Sequence, residues 1–121
     1  MKKIVPLFVM LLFVLSSEVL ADKTAVTLAG PESVAAGTEV TITVNVRHKG
    51  NNAFHYTNWV VVKADGVEIA RWDFKASGRP EDQNFSREVK HTVAKAVEIT
   101  AQGNCNIHGS KGPAVLKIAV R

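Results

Sequence analysis

Cysteine is almost lacking from this sequence, which has one copy, Cys105, among 121 residues. A single cysteine has no partner in its own chain, so a disulfide framework within the chain is excluded. Methionine is also scarce, and both copies, Met1 and Met10, stand at the start of the chain. The formal net charge is +4, but no basic run alternates with stacking aromatics, which argues against a nucleic-acid partner.

A long apolar run is lacking as well. The apolar stretch Ile4 to Leu15 is well short of the roughly 20 residues that cross a bilayer. Two lysines precede it and small residues up to Ala21 follow it, which is the pattern of a cleaved secretory signal. We therefore interpret residues 1–21 as a signal peptide and residues 22–121 as one domain, periplasmic or secreted, with no membrane attachment after cleavage.

Helical periodicity is lacking from the rest of the chain, and short alternating runs take its place. The stretch TEVTITVNVR alternates apolar and polar residues with the period of a half-buried strand. Residues 58–74 predict a hairpin that turns at Asp65-Gly66, and Trp59 and Trp72 on its two arms are expected to pack in the core. About seven such strands predict an all-β, immunoglobulin-like β-sandwich, whose edge strands are compatible with a homo-oligomer.

Two glycine-flanked loops carry the residues with metal chemistry. His48 follows one strand and His55 precedes the next, whereas Cys105 and His108 stand in CNIHG before the last strand. If both loops lie at one end of the sandwich, these side chains converge. Thiolate and imidazole together suit iron, copper or zinc. A closed zinc site would use four such ligands, and a blue-copper site would lack its usual axial methionine once the signal is removed.

The segments HYTNWVVVKADG and, above all, CNIHG resemble the iron domain of the superoxide reductase and desulfoferrodoxin family, including the neelaredoxin-like members. The resemblance runs from about Thr38 to Val120. It implies one mononuclear iron with imidazoles in a plane, a thiolate on one axis and an open opposite position where superoxide is reduced. By this resemblance His48 and His55 form the loop pair, Cys105 is the axial thiolate, and His108 is the last imidazole.

The chain departs from the family pattern in its N-terminal part. The family takes a further histidine, and a lysine that attracts the anion, from an N-terminal EKH segment, whereas residues 21–37 contain no histidine. The spare histidine, His91, stands within a strand and is expected to be an ordinary histidine rather than the missing ligand, in which case water completes the metal site. Lys49, beside His48, replaces the proline of the family pattern and is the candidate catalytic residue, standing in for the missing lysine.

We therefore expect an exported iron protein that reduces superoxide to hydrogen peroxide. No second redox centre is visible in the chain, so electrons must come from an external donor protein, such as a small cytochrome or a rubredoxin-like protein. Two alternatives stay open at this point. One is a cupredoxin-like copper electron carrier, and the other is a non-catalytic sandwich module that binds, delivers or senses metal.

Overall fold

The computed structural model describes residues 23–121, so the expected signal peptide, residues 1–21, lies outside the described residues. The described part consists of eight strands joined by turns and loops and contains no helix long and apolar enough to span a membrane. The strands are β1 (Ala25–Ala29), β2 (Ser33–Val34), β3 (Thr38–Arg47), β4 (Thr57–Ala64), β5 (Val67–Asp73), β6 (Asn84–Val93), β7 (Val97–Cys105) and β8 (Ala114–Val120).

The strands form two sheets, with orders β1-β3-β6 and β2-β8-β7-β4-β5. Alternation in β3 turns its valine and isoleucine side chains into the space between the sheets, and Ile42 is fully buried there. From the other sheet Ile99 and Ile118 meet it, with relative exposures of 0% and 1%. Apolar burial of this kind is the main stabilising term of a small sandwich. The prediction of an all-β, immunoglobulin-like sandwich is confirmed.

Residues 23–121 contain eight strands rather than about seven, because β2 was not predicted. Its two residues pair in parallel with the end of β8, Ser33 with Ala119 and Val34 with Val120. A pair of residues shows no alternation, so the sequence carries no period-2 signal for it. The turn between β4 and β5 agrees with prediction, because Asp65 has a φ of 47° and Gly66 one of 82°, as a two-residue hairpin requires.

A β-bulge at Asn58 sets the start of β4. In the register with β7, Thr57 lies opposite Cys105 and Trp59 lies opposite Asn104, which leaves Asn58 as the extra residue. Its amide oxygen accepts a hydrogen bond from the Asn104 side chain at 2.8 Å. Bulges re-aim side chains beside functional sites, and this one places Thr57 and the loop before it directly against Cys105.

A second irregularity, in the register of β4 with β5, explains a wrong prediction about the tryptophans. Trp59 lies opposite Asp73 and Trp72 lies opposite the buried Val60, so the two rings are on opposite faces of the sheet. Trp72 packs against the core as expected, but Trp59 is absent from the core cluster. It lines a groove on the outer face of the sheet, with the Arg71 guanidinium 5.9 Å from its ring centroid. The outer position of Trp59 relative to Trp72 depends on the register of β4 with β5, which the sequence alone does not reveal.

Candidate metal centre

Two loops leave the same end of the sandwich. The His loop, residues 48–56, connects β3 to β4, and the Cys loop, residues 105–113, begins at the last residue of β7 and leads to β8. Because Thr57 and Cys105 are register partners, the end of the His loop and the start of the Cys loop lie side by side. The convergence of loops expected from the sequence is therefore present.

His48 is buried, with a relative exposure of 4%. Its Nδ1 lies 2.9 Å from the carbonyl oxygen of Gly50. A carbonyl oxygen only accepts, so Nδ1 carries the proton and Nε2 carries the lone pair. Its backbone N–H donates to Asn84 Oδ1 at 3.2 Å. A backbone carbonyl that fixes one ring nitrogen while the other keeps its lone pair is typical of a metal-binding imidazole.

His55 is held by a tight turn in the His loop. Backbone hydrogen bonds of 3.0 and 3.2 Å join Asn52 and His55 in both directions, and Asn52 Oδ1 also accepts from the His55 N–H. Its Nε2 is buried without a hydrogen-bond partner among residues 23–121. A buried nitrogen in that state costs on the order of 1–3 kcal/mol, and a metal ion would relieve the cost. The buried His55 Nε2 without a partner is the observation that best supports a metal at this site.

Gly50 makes room for the His55 ring. Its φ is +147°, and a Cβ at this position would lie 2.6 Å from His55 Nδ1. Such a contact is shorter than the packing of real side chains permits. Glycine at position 50 therefore accepts a backbone angle that other residues avoid and lets the ring approach the backbone closely.

Cys105 is the buried end of the Cys loop, with a relative exposure of 1%. Paired backbone hydrogen bonds of 2.9 and 3.0 Å join it to Gly109 and close the loop into a narrow turn. Inside that turn the backbone N–H of His108 donates to Cys105 Sγ at 3.4 Å. Hydrogen bonds to a sulfur orient it and stabilise its anionic form.

Asn106 fastens the two loops together. Its side chain accepts from the Tyr56 N–H at 3.0 Å and donates to the Phe54 carbonyl at 3.1 Å. Its own N–H donates to the Tyr56 carbonyl at 3.1 Å. This function of the second residue of CNIHG was not anticipated from the sequence, although a polar side chain between two predicted ligands was an available signal.

Three of the four predicted ligands form one group. His48, His55 and Cys105 each offer a ligand atom, and these atoms all lie within 4.8 Å of one another. Ligand atoms at about 2.0–2.3 Å from a shared metal stand roughly 3–4.5 Å apart, so the group needs little adjustment to bind one. His108 is exposed, and its ring stands edge-on to that of His55 with 5.0 Å between centroids. It is therefore adjacent to the group rather than within it.

His91 lies far from these residues. It pairs with Val40, seven register positions from the pair of Arg47 and Asn84 next to the His loop. At about 3.3 Å per residue this separation is roughly 23 Å. A metal held by His48 and His55 is therefore out of reach of His91.

Lys49 is exposed beside His48 and lines a basic cavity of about 520 Å³. Arg47, Lys23 and Lys111 line the same cavity. Lys23 and Lys111 come together because the Lys111 N–H donates to the Thr24 carbonyl at 2.9 Å, which ties the start of the described chain to the Cys loop. Neither lysine was singled out in the sequence, since this contact joins segments almost ninety residues apart.

The sequence profile described as Desulfoferrodoxin matches residues 19–110. The chain belongs to the desulfoferrodoxin family. No curated protein matches it. The family match covers both loops of the candidate centre up to Ser110. Membership in the desulfoferrodoxin family gives no support to the copper and zinc alternatives.

Solved structures agree with the desulfoferrodoxin fold. A superoxide reductase (neelaredoxin) from Ignicoccus hospitalis is 22% identical, with a TM-score of 0.68, over 82% of this chain and 83% of that one. A Thermotoga maritima protein provisionally named a superoxide reductase is 24% identical, with a TM-score of 0.64, over 80% and 86%. The CARDB domain of a Pyrococcus furiosus protein, solved with di-metal ions, is 14% identical, with a TM-score of 0.60, over 84% and 97%. At these identities the likeness concerns the fold.

Replacing Gly50 with alanine is expected to weaken metal binding by roughly tenfold or more, because the new Cβ displaces the His55 ring. Competition between the protein and a chelator for ferrous iron measures the change. Gly66→Ala is the matched control, since Gly66 also has a positive φ but its Cβ would meet nothing within 4 Å. Equal affinity in Gly50→Ala and wild type would show that the ring position does not matter.

Proposed function

We propose that this protein holds one iron at the end of the sandwich and reduces superoxide to hydrogen peroxide. The observation that carries the proposal is the convergence of His48, His55 and Cys105 within 4.8 Å in a chain of the desulfoferrodoxin family. The name of the Ignicoccus hospitalis structures, superoxide reductase, gives the reaction. One soft thiolate with imidazoles is a donor set that iron accepts.

Residues of both loops would bind the metal. His48, His55 and Cys105 would hold the metal from buried positions, and His108 would approach from the exposed side. Ferrous iron bound there would supply one electron, which with two protons would convert superoxide to hydrogen peroxide. The Gly50 carbonyl fixes the orientation of His48, and the His108 N–H stabilises the negative charge on Cys105 Sγ.

Lys49 would attract the anionic substrate. It is exposed next to His48, and a positive field at the entrance of a site raises the encounter rate of an anion. Lys49→Ala is expected to slow the reaction with superoxide by a few fold, roughly, and to flatten its dependence on salt. Stopped-flow or pulse-radiolysis rates over a range of ionic strength measure both effects. Lys90→Ala removes an equal charge from β6 and should leave the salt dependence near that of wild type. Unchanged rates in Lys49→Ala would show that Lys49 does not attract the substrate.

Two further features complete the proposal. Each turnover would oxidise a bound ferrous ion by one electron, so the protein would need an external one-electron donor, such as a small cytochrome or a rubredoxin-like protein. Residues 1–21 would direct the chain out of the cytoplasm, to the periplasm or the medium, as a signal peptide that is removed. Subcellular fractionation with mass determination of the mature N-terminus tests this second feature, and a mature chain that still begins at Met1 would contradict it.

The deciding experiment combines metal analysis with product analysis. The protein is purified without oxygen, loaded with ferrous iron and exposed to superoxide. Reduction yields one hydrogen peroxide per superoxide without dioxygen, whereas dismutation yields one for every two. Stoichiometric zinc or copper in the purified protein would overturn the iron assignment. Tight iron without superoxide consumption would favour the non-catalytic metal-binding module.

A further inference from the structure

In the described part of the chain, the residues that line the basic cavity are all cationic or neutral. Besides the positively charged side chains it is lined by His48 and by small or amide residues. The described residues of the lining are Lys23, Ala25, Thr27, Arg47, His48, Lys49, Gln83, Asn84 and Lys111. No carboxylate of residues 23–121 belongs to this lining. The cavity contacts the metal-ligand group through His48 alone, because His55, Cys105 and His108 do not line it.

Among residues 23–121, the acidic residues nearest in sequence to this lining are Glu81 and Asp82, which precede Gln83. Glu81 accepts two hydrogen bonds of 2.9 Å from Arg87, and these lower the pKa of its carboxyl to about 2. Asp82 is exposed, and its Oδ1 accepts the Gln83 N–H at 2.7 Å. Within residues 23–121 the ion pairs involve Arg71 and Arg87, so the four cations of the cavity have no carboxylate partner in the described chain.

Four positive charges around one concave space repel each other and create a positive potential inside it. Two of the four, Lys23 and Lys111, are held near one another by the hydrogen bond between the backbones of Thr24 and Lys111. A ligand with a single charge would balance only part of this potential. The volume of about 520 Å³ lies within the usual range of small-molecule sites.

We propose that the basic cavity is a binding site for a small polyvalent oxyanion, one that carries two or more negative charges on phosphate, sulfate or carboxylate groups. Lys23, Arg47, Lys49 and Lys111 supply the charge, and the amides of Gln83 and Asn84 supply neutral polar groups at the wall. The oxyanion would bind to the protein in addition to the metal of the proposed function. Its site lies against the outer side of His48. It does not require a metal to form.

Sulfate is a suitable probe because it carries two charges across the pH range in which the protein is handled. Calorimetric titration of the full chain at constant ionic strength is expected to show saturable binding with one site. The double variant Lys23→Gln/Lys111→Gln should bind roughly tenfold more weakly. The control Lys63→Gln/Lys117→Gln removes the same charge from exposed positions outside the cavity and should stay within about twofold of wild type.

Amide NMR of the metal-free chain locates the probe. Sulfate should shift the amides of cavity residues such as Thr27, Lys49 and Gln83, and leave those of the outer groove at Trp59 unchanged. Absence of saturable binding, equal weakening in both double variants, or shifts confined to other surfaces would overturn the proposal. Titrations with and without iron separate it from the proposed function, because loss of iron binding or of superoxide reduction leaves sulfate binding to the metal-free chain intact.

Discussion

Replacing Cys105 with serine is expected to abolish the thiolate-to-iron absorption band and to slow superoxide reduction by at least roughly a hundredfold. Loss of an outer-shell partner of a metal ligand typically costs about 10–100-fold, and removal of the ligand atom itself costs no less. Serine keeps the size of the side chain and can still accept the His108 N–H that now donates to Sγ. Its hydroxyl stays protonated at neutral pH and is a hard donor, so neither the charge nor the softness of sulfur is replaced.

A control for this change should alter the same packing without touching the donor set. Thr57 is buried, is the register partner of Cys105, and contacts Thr24 through hydroxyl groups 3.0 Å apart. Thr57→Ser removes one methyl group and keeps that hydroxyl, so iron content and the absorption band should persist. Visible spectra of the three proteins after anaerobic iron loading and oxidation make the comparison. A band that survives in Cys105→Ser would mean that another group gives rise to it.

The fold was predictable where a strand carries its own periodicity. The strands β3 and β8 begin and end where the alternating runs TEVTITVNVR and AVLKIAV do, and the Asp65-Gly66 turn has a local conformational cause. Strand β2 depends instead on pairing with the distant strand β8, and the outward position of Trp59 depends on an irregular register in the β4–β5 hairpin. Two-residue pairings and bulges are set by tertiary packing, and no local pattern marks them.

The candidate metal site was likewise predictable in part. Ligand chemistry marked Cys105 and the loop histidines in the sequence, and the structure brings His48, His55 and Cys105 together. The residues that surround and position them could not be found this way. Asn106 acts through backbone groups of the other loop, and Lys23 lines the cavity beside His48 only because the neighbouring Thr24 binds the Cys loop.

Replacing Ile99 with alanine is expected to lower the free energy of unfolding by about 2–5 kcal/mol, the usual cost of such a cavity in a packed core. Ile99 is fully buried in β7, between its register partners Ala64 and Leu116. For a domain of this size the midpoint of thermal unfolding should fall by more than roughly 8 °C. Val115→Ala is the matched control, because Val115 is 55% exposed on the neighbouring strand and its truncation should cost less than about 0.5 kcal/mol.

Denaturation of the metal-free proteins gives the cleanest measurement, because a metal that binds only the folded state adds its own stabilisation to the apparent value. Well below the new midpoint, Ile99→Ala should still bind iron with wild-type stoichiometry, since Ile99 belongs to the core and stands six residues before Cys105 on the same strand. Loss of iron in the folded variant would show instead that the loops depend on core packing for their geometry. We therefore expect Ile99→Ala to lose stability and keep the metal site, and Cys105→Ser to lose the metal site and keep stability. The reason is that Asn106, rather than the core, holds the two ligand-bearing loops together.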